Sequence, residues 1–132
     1  MSAGEQPRVL LVDDNEAILK RAAAVLSTSC EIVGALTDGR AAIEAVGTLR
    51  PDVVVLDISM PGLSGLEVAG RLRDDGTAAA VVFLTVHDGD EFLCAARAAG
   101  GVGYVVKPRL ASDLAPAVQE ARAGRAYVSQ GH

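Results

Sequence analysis

Residues 8–16 read RVLLVDDNE, an apolar run of strand length that stops at two adjacent aspartates. Adjacent carboxylates repel each other, and burying either one is costly without a counter-charge. The run from Val9 to Val12 has the composition of a parallel strand covered on both faces. Related β-branched runs follow: EIVGAL (31–36), DVVVL (52–56), AVVFL (80–84) and GYVV (103–106).

Helical patterns separate these runs. Ile18, Ala22, Val25 and Leu26 share one face of a first helix near residues 15–27. Ile43, Val46 and Leu49 do so in a second, with Asp38 placed to cap it. Ser64 and Glu67 form a capping-box pattern opening a third near 65–74. A fourth, near 90–99, is alanine-rich. A fifth carries Leu110, Leu114, Ala117, Val118 and Ala121 on one face. Pro116 is tolerable there in the first turn, which predicts Ser112 or Asp113 as the cap. The closing GRAYVSQGH (124–132) has no clear periodicity and reads as a tail or the start of an interdomain linker.

Alternation of strand and helix predicts an α/β fold, a doubly wound, five-stranded parallel sheet with five helices. One domain over 1–132 is expected, with its core at about 8–123. The chain is 50% hydrophobic, which argues against disorder, and its formal net charge of −5 argues against non-specific binding to nucleic acid or anionic membranes. No apolar run approaches a membrane span, and MSAGEQPR is not a signal peptide. Cys30 and Cys94 lie in no metal or redox motif and read as reduced thiols of a cytoplasmic protein.

In doubly wound sheets, ligands bind beyond the carboxyl ends of the strands. Strand one ends in Asp13 and Asp14, strand three in Asp57, strand four in Thr85 and strand five in Lys107, followed by Pro108. Each has an ordinary reading alone: Asp14 or Asn15 as a helix cap, Thr85 as strand-end chemistry, Lys107 as a solvated cation. Together they place three acids, a hydroxyl and a lysine on one sheet edge. Lys107 offsets one charge, and a partly hydrated Mg²⁺ (or Mn²⁺) is the natural counter-ion for the rest. No G-x-G-x-x-G follows strand one, and there is no P-loop or Ser-His-Asp arrangement. His87 reads as an exposed loop residue.

The set LVDD, VVVLDISMPGLSG, FLT and GYVVKP resembles, in order and spacing, the receiver domain of two-component response regulators. The stretches LTVHDGDEF and ARAGRAYVSQ are most similar to receivers of LuxR/NarL-type regulators. The resemblance implies a flavodoxin-like sheet of order 2-1-3-4-5. It implies that Asp57 accepts a phosphoryl group from a sensor histidine kinase or a small acyl phosphate. Asp13, Asp14, Asp57 and the backbone carbonyl of Ser59 would hold the metal. Lys107 and Thr85 would bind phosphoryl oxygens. Tyr104 would turn inward as Thr85 moves, changing the face of helix four, strand five and helix five around Arg109 and Leu110. Self-association on phosphorylation fits that face. A DNA-binding domain controlling transcription would follow such a receiver; none lies within this chain, which reads as a regulator of this domain alone or as half of a longer one. Turnover is expected to be limited to slow self-phosphorylation and self-dephosphorylation.

Val86 departs from the family's small residue after the threonine and is expected to gate access to Asp57. Ser59 and His87 occupy positions that tune phosphoryl lifetime in relatives. A cis Lys107–Pro108 bond is expected, turning Lys107 back toward Asp57. A haloacid-dehalogenase-type phosphatase is the competing class, but it needs a second acid where this chain has Ser59. A binding-only pseudo-receiver would lack acidic-site residues that are all present here.

Overall fold

The computed structural model describes residues 6–86 and 90–129. Its strands are β1 (Arg8–Val12), β2 (Glu31–Leu36), β3 (Val53–Asp57), β4 (Ala80–Thr85), β5 (Gly103–Val106) and β6 (Tyr127–Val128). Its helices are α1 (Glu16–Leu26), α2 (Gly39–Leu49), α3 (Gly65–Asp74), α4 (Asp90–Ala98) and α5 (Leu110–Arg122). All strand pairs are parallel, in the order β2-β1-β3-β4-β5-β6.

Strand side chains alternate between the two sheet faces. Leu10, Val12, Val54, Leu56, Val81 and Phe83 pack with α2, α3 and α4. Val9, Leu11, Val53, Val55, Val82 and Leu84 pack with α1 and α5. Both faces are therefore apolar, and the central strands read as continuous hydrophobic runs for that reason.

Helix starts follow from local chemistry. Asn15 caps α1, accepting from the amides of Ala17 at 2.9 Å and Ile18 at 3.3 Å. Asp38 caps α2 by accepting from the Arg40 amide at 3.1 Å. The Ser64–Glu67 capping box closes in both directions, at 3.2 Å and 3.0 Å. Gly65, the first residue of α3, packs so closely on the end of β3 that a Cβ there would collide with the Asp57 carbonyl. Gly65→Ala is expected to cost about 1–3 kcal/mol through overpacking. Gly70→Ala, in the same helix but facing open space, is expected to be neutral or to stabilise by up to about 1 kcal/mol. Thermal melts of the two variants check the contrast.

The sheet has a sixth strand that the sequence did not reveal. The segment read as tail or linker turns at Gly124 and adds Tyr127–Val128 beside β5. The fifth helix also starts earlier than expected, at Leu110, directly after a 3₁₀ turn at Lys107–Arg109. Pro116 thus sits inside α5 rather than in its first turn. It is tolerated because Pro116 and Ser112, whose carbonyl loses its helical partner, are both exposed. Asp113 is not a cap: its carboxylate is buried and bonded to Arg109, Ser112 and Ser129. Arg109, first, holds that carboxyl down at about 2. Cys30 and Cys94 are both free thiols, the first buried and the second exposed. No helix among the described residues is long and apolar enough to cross a membrane.

Candidate functional site

Strand register assembles the site. Val12 lies opposite Leu56, which sets Asp13 beside Asp57. Asp57 lies opposite Leu84, one residue before Thr85. Thr85 lies opposite Val106, one residue before Lys107. Three successive pairings in phase therefore deliver four polar strand ends to one edge.

Asp13 and Asp57 are almost fully buried, at 1% and 3% exposure, and Thr85 is buried at the end of β4. One carboxylate oxygen from each of Asp13, Asp14 and Asp57 lies within 4.8 Å of the others. Lys107 Nζ reaches Asp13 Oδ2 at 2.9 Å and Asp57 Oδ1 at 3.5 Å. The Asp13 contact is an ion pair by distance but misses hydrogen-bond alignment, so Asp13 Oδ2 is buried without a hydrogen bond. Asp13 Oδ1 accepts from the Asn15 amide at 2.8 Å, and Asp57 Oδ1 accepts from the Ser59 amide at 3.2 Å. That second bond folds the exposed Ser59 back toward the acids.

Burial, first, and the neighbouring Asp13 carboxylate, second, push the Asp57 carboxyl up to about 7. A hydrogen bond with Asp14 also raises it, while the Lys107 ammonium and the Ser59 amide oppose the rise. One lysine thus does not balance three carboxylates. The site fits a hard divalent cation on two counts: every candidate ligand is an oxygen, and a buried Asp13 oxygen has no hydrogen bond.

The Lys107–Pro108 bond is trans, contrary to the sequence-based expectation. The lysine needs no reversal of the chain, because its long side chain spans the gap to both aspartates. Pro108 instead is the second residue of the 3₁₀ turn Lys107–Arg109, where its fixed φ and missing amide are accommodated. Val86 follows Thr85 and is 64% exposed, so it does not pack into the core. Tyr104 is apart from the acids; it is buried, on the sheet face that packs with α2, α3 and α4. His87 lies outside the described residues. Sequence reasoning missed the Asp113–Ser129 contact, for which no motif or spacing gave a signal.

A recess of about 700 Å³ contains none of these residues; it lies at the other end of the strands, beside Arg50, Asp52 and Asp75.

A family model for the response regulator receiver domain matches residues 9–119. The positive alginate biosynthesis regulatory protein of Pseudomonas aeruginosa is 40% identical over 116 residues, covering 86% of this chain and 46% of that protein. The nitrate/nitrite response regulator protein NarL of Escherichia coli K12 is 32% identical over 132 residues, covering 98% of this chain and 61% of that protein. The chain thus spans about half the length of the curated relatives it matches. Among solved structures, the signal receiver domain of a NarL response regulator from Mycobacterium tuberculosis superposes with a TM-score of 0.87. It is 31% identical, covering 92% of this chain and 99% of that one. On these matches, together with strand ends that gather Asp13, Asp14, Asp57, Thr85 and Lys107, the chain belongs to the receiver domains of two-component response regulators.

Proposed function

We propose that Asp57 is the phosphoacceptor of this receiver and that residues 8–123 form its working core. The observation that carries the reading is the approach of three carboxylates within 4.8 Å, with Lys107 3.5 Å from Asp57. A carboxylate oxygen of Asp57 attacks phosphorus in line, and the bond to the donor's leaving group breaks. The donor is a phosphohistidine on a sensor histidine kinase or a small acyl phosphate. Mg²⁺, when bound, supplies charge neutralisation, and Asp13, Asp14, Asp57 and the Ser59 carbonyl would hold it. Lys107 contributes a fixed positive charge to the phosphoryl oxygens, and the Thr85 hydroxyl donates to another. Drawing Thr85 inward couples the site to Tyr104 and to the face of α4, β5 and α5. Self-association through that face, and transcriptional control by a DNA-binding domain in the longer protein, follow from this reading. So does work in the cytoplasm, where the kinase presents its phosphohistidine.

Incubation with Mg²⁺ and acetyl phosphate tests the assignment. One phosphoryl adduct per chain is expected by intact mass, and hydroxylamine should remove it, since an acyl phosphate is a mixed anhydride. An adduct that resists hydroxylamine, or none at all, contradicts the reading. Steady turnover of a phosphate ester would favour the phosphatase class instead, whose second acid is replaced by Ser59.

Val86 is the proposed gate. It is stiff at its first torsion and exposed beside Thr85. Val86→Ala is expected to speed phosphorylation by small donors and loss of the phosphoryl group, each several-fold. Its stability should stay within about 0.5 kcal/mol of the parent, because no core contact is lost. Unchanged rates would remove the gate.

A further inference from the structure

A second group of buried polar contacts joins the last described residue to the switch strand. Ser129 is 9% exposed and Asp113 is 4% exposed. Ser129 Oγ donates to Asp113 Oδ2 at 2.7 Å and accepts from the Val106 amide at 3.3 Å. The Ser129 amide donates to the Tyr104 carbonyl at 2.8 Å. Arg109 Nε donates to the same Oδ2 at 2.9 Å, and Ser112 Oγ donates to Asp113 Oδ1 at 3.0 Å. The contacts of Ser129 thus fall on Tyr104 and on Val106, the residue before Lys107.

The same segment covers Tyr104. Val128 lies opposite Tyr104 in the β5–β6 register, so both point to one sheet face. Together with Leu93 and Ala96 they line a groove of about 230 Å³. A two-residue strand has little backbone pairing of its own. Beyond the Tyr127 amide bond to the Val102 carbonyl at 3.0 Å and the packing of Tyr127, its docking rests on the Ser129 contacts and on Val128 finding Tyr104 in place. Segments of this kind open at low free energy and are easily biased.

We infer that Ser129 is a positioning residue for the switch: it docks Tyr127–Ser129 on β5, so that docking of this segment and the inward state of Tyr104 stabilise each other. The inference rests on the reading of Asp57 and Tyr104 above. Coupling of this kind is reciprocal. Filling the phosphoryl site must tighten the segment, and loosening the segment must weaken the site by the same factor.

Beryllofluoride with Mg²⁺ serves as the phosphoryl mimic, and amide exchange of Tyr127 and Ser129 in the whole chain is the readout. In the parent, the mimic is expected to slow exchange of these amides. Ser129→Ala removes one buried hydrogen-bonding hydroxyl and is expected to speed their exchange about fivefold. Apparent affinity for beryllofluoride should fall several-fold, although no residue near Asp57 changes. Ser129→Thr, which keeps the hydroxyl, should restore both. Truncation after Gly124, which removes β6 with its Tyr127 and Val128 packing but none of the fully buried core side chains, should weaken the mimic at least as much as Ser129→Ala. If the mimic binds the parent, seen by shifts of amides around Asp57, yet leaves exchange at 127–129 unchanged, the coupling is overturned and the phosphoacceptor reading stands. Parent-like affinity in both Ser129→Ala and the truncated chain overturns it equally. A parent that fails to bind the mimic overturns both readings.

Discussion

Asp57→Asn should take up no phosphoryl group under conditions that load the parent to one per chain. The amide has the shape of the carboxylate but lacks a nucleophilic oxygen. The substitution keeps an acceptor for the Ser59 amide, so the fold should persist. Intact mass before and after acetyl phosphate decides the matter. The result discriminates sharply because Asp13 is as buried as Asp57 and pairs with the same lysine. If Asp13 were the acceptor, the adduct would survive Asp57→Asn and vanish in Asp13→Asn.

The second large effect concerns charge. In metal-free buffer near pH 8, Asp57→Asn and Asp13→Asn should each melt higher than the parent. Asp57 has its folded value raised to about 7 from the usual 3.8. Between those values the folded chain binds more protons than the unfolded one, so stability is fully present below 3.8 and falls as pH rises through about 7. Removing the charge should recover on the order of 2 kcal/mol at pH 8, or roughly 5–10 °C in Tm. Millimolar Mg²⁺ should invert the ranking, stabilising the parent and leaving Asp13→Asn behind. Melting curves at pH 5 and pH 8, with and without Mg²⁺, test all of this. A parent whose stability is flat across that range, or blind to Mg²⁺, sinks the charge argument.

Much of the site could be read from the sequence because strand ends are local signals. A β-branched run that stops at an acid or a lysine announces both the strand and the edge it points to. Asp13, Asp57, Thr85 and Lys107 needed only the rule that parallel strands share a carboxyl edge. The Ser64–Glu67 box and the Asp38 cap were legible for the same reason, since their partners lie within three residues. What failed depended on distance. Tyr127–Val128 is too short for periodicity, and its docking relies on Ser129 meeting Asp113, sixteen residues away. Asp113 looked like a cap because helix starts favour aspartate, whereas the 3₁₀ turn had already begun the helical path at Lys107. The trans Lys107–Pro108 bond leaves no local signal either, because the reach of the lysine side chain, rather than a backbone reversal, brings Nζ to the acids.

The parallel direction of β6 fixes where the chain leaves the domain. Helix α5 runs back to the amino edge of the sheet, and a chain departing there would lie far from the acids. Two further residues on β6, at about 3.3 Å each, reverse that heading. By the same register the Ser129 backbone is level with Val105 and travels toward the rim that carries Lys107 and Asp57. Any polypeptide continuing from there is launched from the rim proposed for phosphoryl transfer.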